Sequence, residues 1–303
     1  MIKKLAFLYT LILISSLAIA QDPQDFILNG AVCYDINSKI INSDIRISVS
    51  LPQGYDPKSN IKYPVLYVLD AFYSFPIIHE MHKMMASEIE PVIIVGIGDG
   101  RMSGIDWFVS RYSLLTYTSD KYEDSFHVNV LLNGLPVKMQ SGNGQKYYDA
   151  IKTEVIPFIE SHYTTNEDRG LVGHSLSGLF TSEVLFKDNG YFSRYGINSA
   201  ALFFGSDEPF KLEQKYFESK KQLSGKVFIS AAALEGDKTF VKRSIKFANV
   251  LRSRNYKKLK IESVVFPKES HVSVIAAMLS RSLYALYGLP VNRSFPKGHR
   301  ADQ

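Results

Sequence analysis

Residues Gly170 to Phe180 read GLVGHSLSGLF, two serines set among small and apolar side chains. An apolar run leads into this stretch and a helical pattern leads out of it, so it reads as a strand that turns sharply into a helix. A serine hydroxyl is a weak nucleophile. To act as one it needs such a turn, a base beside it, and backbone N–H groups free to hold an oxyanion. The turn tolerates only small residues two positions to either side. Counted from Ser175 these are Gly173 and Ser177, with Gly178 next; counted from Ser177 they are Ser175 and Leu179, and a leucine crowds the turn. Ser175 is therefore the nucleophile candidate, with Ser177 filling space. A helix start with an ordinary N-cap serine has the same local pattern; the strand before it and the helix after it set this one apart.

Outward from this turn the chain alternates strand and helix patterns, which favours an α/β sheet. Ser43 to Pro52 alternates Ile45, Ile47, Val49 and Leu51 with polar residues, as a half-buried outer strand does. Tyr63 to Asp70 and Pro91 to Gly98 are continuous apolar runs, expected of central strands covered on both faces. Ser74 to Ser87 reads as a helix, and so does Tyr147 to His162, bent by Pro157. Ser119 to Gly144 has no period and reads as a long loop, a candidate lid. Thr239 to Arg252 reads as an amphipathic helix, with Phe240, Val241, Ile245, Phe247, Ala248 and Leu251 inward and Lys242 and Lys246 in solvent.

When a sheet presents a serine in this way, the acid and then the histidine follow it in the chain. His271 follows the last apolar strand, in PKESHVSV, and is the base candidate. Glu235 and Asp237 follow the preceding strand in FISAAALEGD, and Glu235, nearer the strand end, is the preferred acid. His174 would turn away from the nucleophile. His79 and His82 lack the i, i+4 spacing of a zinc motif and read as packing or surface residues. For the oxyanion the chemistry needs the N–H of Leu176 and one from the loop LDAFYSF, at Ala71 or Phe72. Trp107, Phe108, Arg111, Phe203 and Phe204 are candidates to line a pocket.

The N-terminus has the zones of a secretory signal: Lys3 and Lys4, the apolar run Leu5 to Ile14, then Ala18-Ile19-Ala20 before Gln21. The expected organisation is a signal peptide over 1–20, one domain over 21–288 and a polar tail over 289–303, with the mature protein periplasmic or secreted and not inserted in a membrane. The lone cysteine, Cys33, allows no internal disulfide and reads as a small buried strand residue. Without Lys3 and Lys4 the formal charge falls from +5 to +3, too mild to argue for nucleic acid.

With these residues in view, the chain resembles the esterase family of α/β-hydrolases that includes enterochelin and salmochelin esterases and is related to S-formylglutathione hydrolase and feruloyl esterases. The likeness runs from about Ser43 to Gly288, through LPQGYDP, YPVLYVLDA, IIVGIG, RYSLLTYT, the stretch from Tyr147 to Phe180, and FPKESHVSV, in that order. It implies an α/β-hydrolase fold, a mostly parallel central sheet with helices on both faces. It places the nucleophile on Ser175, the histidine on His271, the acid on Glu235 and a pocket arginine on Arg111. No cofactor or metal is implied. Ala71 stands where LDG is usual, Ser177 replaces the usual glycine, and INSAALFF replaces a stretch that often carries paired tryptophans. The reading is an exported serine carboxylic-ester hydrolase acting on a siderophore or on acyl or feruloyl esters of polysaccharide. A non-catalytic binding protein of this fold, an acyltransferase and a peptidase are the alternatives, and oligomeric state is not legible.

Overall fold

The computed structural model describes residues 28–100, 104–188, 190–236 and 238–290. The expected signal peptide, the tail beyond Pro290 and Asp237 lie outside them.

Eight strands form one sheet in the order β1-β2-β4-β3-β5-β6-β7-β8. They are β1 (Ala31–Ser38), β2 (Ser43–Ser50), β3 (Tyr63–Leu69), β4 (Ile93–Asp99), β5 (Thr165–His174), β6 (Arg194–Asn198), β7 (Ser224–Ala232) and β8 (Lys258–Phe266). β1 pairs with β2, and β2 with β4, antiparallel; every other pairing is parallel. The helices among the described residues are α1 (Ala71–Met84), α2 (Gly104–Leu114), α3 (Lys121–Phe126), α4 (Gly144–Ala150), α5 (Ile156–His162), α6 (Leu176–Lys187), α7 (Phe204–Lys220), α8 (Thr239–Ser253) and α9 (Ile275–Tyr287).

The continuous apolar strands follow from helices on both faces. Along β3, Leu66 and Val68 face α1 and α9 and meet Phe75, Ile78, Met278, Leu283 and Tyr287. Val65, Tyr67 and Leu69 face the opposite way, into a core shared with Tyr112, Ile151, Phe180 and Phe247. Fully burying a side chain of this size contributes about 1.5–3 kcal/mol, so successive residues of β3 serve two cores at once. β2 has the alternation read from its sequence, with Ile45, Ile47 and Val49 buried.

Four expectations change. Cys33 is exposed, with its thiol beside the Ser48 hydroxyl at 3.7 Å, because β1 is the edge strand of the sheet. The expected loop over 119–144 contains α3 and a π-helical turn, His127–Leu131. Asp120 starts α3 by accepting the N–H groups of Tyr122 and Glu123. The helix before β5 is broken by a π-helical turn, Ile151–Val155, just ahead of Pro157, which has no N–H to continue the α ladder. On α8 the buried face is Ser244, Phe247, Ala248 and Leu251, while Ile245 lies in solvent.

Candidate active site

Parallel pairing brings the ends of β3, β5, β6, β7 and β8 to one edge of the sheet. The loops that follow carry, in turn, Ala71, Ser175, Phe203, Glu235 and His271.

Ser175 joins β5 to α6 at φ 62° and ψ −117°, a conformation a non-glycine residue holds only when its surroundings enforce it. Three backbone bonds do so. Its N–H donates to Asn198 O at 3.0 Å, and its carbonyl accepts the N–H of Leu179 at 2.9 Å and of Ala201 at 3.1 Å. The glycine at position 173 is a steric requirement, since a Cβ there would lie 2.2 Å from Ser177 O. Gly178 likewise lets α6 approach the backbone after β6, where a Cβ would meet Asn198 O at 2.8 Å.

His271 Nδ1 lies 2.7 Å from Glu235 Oε1. A carboxylate can only accept, so Nδ1 carries the proton and Nε2 is left as the basic nitrogen. The Glu235 side chain is 1% exposed and that of His271 is 32% exposed, so the acid is sheltered while the imidazole is reachable from outside. Leu234 N–H donates to Glu269 O, and Ala233 N–H to Phe266 O, both at 2.9 Å, which ties the two loops together. The His271 ring sits between two others: His174, with ring centroids 4.5 Å apart, and Phe240, at 4.6 Å. His174, expected to turn away from the serine, thus packs its ring against the candidate base. Burial, followed by the nearby His271 and Arg111 charges, pushes the His174 pKa down to about 3, so its ring stays neutral.

On the other side of the serine, Leu176 is the first residue of α6, while Ala71 and Phe72 are the first two of α1. Helix-initial N–H groups have no carbonyl partner within the helix, and β3 and β5 are neighbours, so the two helix starts lie side by side. Asp70, just before Ala71, adopts φ 54° and ψ 45° and is buried. Arg111 forks onto it, Nε to Oδ1 at 2.7 Å and Nη2 to Oδ2 at 2.8 Å, and the hydroxyls of Tyr73 and Ser177 donate to Oδ2 at 3.0 and 2.7 Å. Burial alone would raise the Asp70 pKa; the Arg111 charge and these bonds outweigh it and hold the carboxyl below its ordinary range.

Ser177 therefore does more than fill space. Its hydroxyl also accepts the His174 N–H at 2.8 Å. Arg111 lines a cavity of about 30 Å³ with Asp70, Ala71, Phe72, Trp107 and Tyr147, and its guanidinium is committed to Asp70. Trp107 lies beside Phe72, centroids 6.2 Å apart, and Phe203 beside Phe240 at 5.2 Å. Phe204 does not line the site: it is 2% exposed and packs edge-on against Tyr112, in the core. Left-handed backbone at Gly205, Ser206 and Asp207 follows it at once and turns the chain away. Sequence reasoning missed Asp70 and Tyr73 altogether, and it read Phe240 only as one residue of a helix's inner face. Among the described residues no three His, Cys, Asp or Glu side chains are grouped to hold a metal ion, and no helix is long and apolar enough to cross a membrane.

Comparison with known proteins agrees with this fold. The family model described as "Putative esterase" matches residues 38–270. The chain belongs to that family and is an esterase of α/β-hydrolase fold. It is similar to the ferri-bacillibactin esterase BesA of Bacillus subtilis (strain 168), 25% identical over 279 residues that cover 86% of this chain and 91% of that protein. Among solved structures it is similar to the BES protein from Bacillus cereus, with 26% identity, TM-score 0.76, and coverage of 89% of this chain and 100% of that one. It is also similar to an IroE-like serine hydrolase from Shewanella oneidensis, with 26% identity, TM-score 0.67, and coverage of 84% and 78%.

Proposed function

We propose that this esterase is an exported serine hydrolase that works through an acyl-enzyme on Ser175. His271 Nε2 takes the Ser175 proton as the hydroxyl attacks the ester carbonyl, while Glu235 holds the ring and stabilises its charged form. The N–H of Leu176 and one of the two at Ala71 and Phe72 receive the tetrahedral oxyanion. His271 then gives its proton to the departing alcohol, and water, deprotonated in turn by His271, releases the acid and restores Ser175. The observation that carries this reading is the 2.7 Å bond from His271 to a buried Glu235, on the same sheet edge as a serine held in strained backbone.

The substrate we propose is a siderophore ester. BesA is a ferri-bacillibactin esterase, and Phe72, Trp107, Phe203 and Phe240 offer aromatic surfaces on both sides of the serine. Acyl or feruloyl esters of polysaccharide are the second substrate class, suited to the same aromatic walls. Residues 1–20 direct export and are removed after Ala20, so N-terminal sequencing of the exported protein should begin at Gln21.

The test is release of p-nitrophenol from short acyl esters by residues 21–303, beside the same protein with Ser175→Ala. Turnover in the parent and a loss of several orders of magnitude in the variant are expected. Turnover that survives Ser175→Ala would move the nucleophile elsewhere. No turnover in the parent on aryl or siderophore esters would favour a binding protein.

A further inference from the structure

We propose that the Ser177 hydroxyl is a positioning group, a strut that fixes the two halves of the oxyanion hole relative to each other. The inference rests on the serine-hydrolase reading above and adds to it a residue outside the triad. Ser177 is wholly buried, and its oxygen lies 2.8 Å from His174 N, 2.9 Å from His174 O and 2.7 Å from Asp70 Oδ2. A hydroxyl has one proton and two lone pairs. It accepts the His174 N–H and gives its proton to the ionised Asp70, where the bond is charge-assisted and stronger than one to the neutral carbonyl.

The position of that bond in the chain gives it its consequence. Leu176 immediately precedes Ser177, and Ala71 immediately follows Asp70. The donors assigned to the oxyanion, Leu176 and either Ala71 or Phe72, are thus within one or two residues of an end of the Ser177 to Asp70 bond. Those two residues lie 107 positions apart in sequence. At the Asp70 end the carboxylate is anchored by the Arg111 fork and the Tyr73 hydroxyl. At the Ser177 end the same oxygen holds the His174 N–H, one residue before the nucleophile. The link therefore runs unbroken from α2 through the start of α1 to the turn that carries Ser175. Without the hydroxyl, Asp70 keeps Arg111 and Tyr73, and the turn keeps its bonds to Asn198 and Ala201; what is lost is the tie between the two halves. Because oxyanion donors stabilise the transition state only when they are held at the place where charge develops, loosening this tie should cost rate and leave substrate binding nearly unchanged.

The experiment compares Ser177→Ala and the near-isosteric Ser177→Cys with the parent on a p-nitrophenyl ester and its thiono analogue, in which the carbonyl oxygen is sulfur. Sulfur is larger and accepts hydrogen bonds poorly, so a well-placed oxyanion hole favours the oxygen ester. In Ser177→Ala, kcat for the oxygen ester should fall about tenfold with KM within about twofold of the parent, and the oxygen-to-sulfur preference should shrink in proportion. Ser177→Cys, whose thiol is a weaker donor, should lie between the two, and it carries the test if the alanine variant fails to fold. The proposal is overturned if the variants keep the parent's preference, whether the rate is unchanged or falls equally on both esters. A parent with no preference for the oxygen ester would instead remove the oxyanion assignment itself, and this proposal with it.

Discussion

Two regions of the molecule bury a carboxylate deeply and leave it in opposite states. At the sheet edge Asp70 is enclosed but surrounded by the Arg111 guanidinium and two hydroxyls, and it stays ionised. In the body of α6, beyond Ser175, Glu183 has one oxygen without a hydrogen-bond partner, next to a half-buried Tyr117 whose hydroxyl also lacks one. Burial there drives the Glu183 pKa up to about 8, and Lys187 offsets only part of it. Burial alone thus says little about whether an acid is charged; the donors around it decide. The sheet edge supplies several donors to Asp70 while the body of α6 leaves one Glu183 oxygen bare, which is how fixed negative charge is kept at Asp70 within a largely apolar core.

Breaking the paired side should have the largest effects. Glu235→Gln leaves the size of the side chain but can present an N–H to His271 Nδ1, favouring the wrong tautomer. Steady-state kinetics on an aryl ester should show kcat lower by about 10³- to 10⁴-fold. Asp237→Asn should change it by no more than a few fold, and the reverse ranking would move the acid to Asp237. Asp70→Asn removes the carboxylate and strands the Arg111 guanidinium, which is only 10% exposed. Losing one partner of a buried pair costs about 3–5 kcal/mol, so chemical denaturation should show a drop of that order; a change within 1 kcal/mol would show that Asp70 does not anchor this region.

The unpaired side is sharpened by pH. Because the folded state holds the Glu183 proton up to about pH 8 and the unfolded chain releases it near 4.5, the folded protein binds more protons in that window. The contribution of this group to stability is therefore complete below the unfolded pKa and is lost as pH rises toward 8, at up to about 1.4 kcal/mol per pH unit. Glu183→Gln should flatten that part of the stability profile and make the protein more stable than the parent at pH 8. An unchanged profile would mean that Glu183 finds a donor in solution.

The sequence was most readable where one local pattern sufficed. Gly173, Ser175 and Gly178 mark the turn because each has a steric reason to be small or strained within a few residues. That Glu235 and His271 would meet was legible because a parallel sheet delivers consecutive loops to one edge. The Ser177 to Asp70 bond was not readable, since a hydroxyl does not announce a partner far away in the chain. Neighbouring Phe203 and Phe204 look equivalent in sequence, yet one lies at the site and the other in the core, a choice made by the left-handed turn at Gly205 to Asp207. Cys33 and Ile245 are apolar side chains whose surroundings, an edge strand and the outer face of a helix, depend on what packs nearby. The composition of Ser119 to Gly144, rich in Asn, Gly, Ser and Asp, concealed α3 because a six-residue helix gives periodicity little length in which to show.

The most direct measurement is covalent. The protein would be treated with a fluorophosphonate, digested, and its modified residue located by mass spectrometry. One phosphonyl group on Ser175, absent from Ser175→Ala and formed far more slowly in His271→Ala, is the result this account requires. Labelling of Ser177, or labelling that persists at another residue in Ser175→Ala, would contradict it.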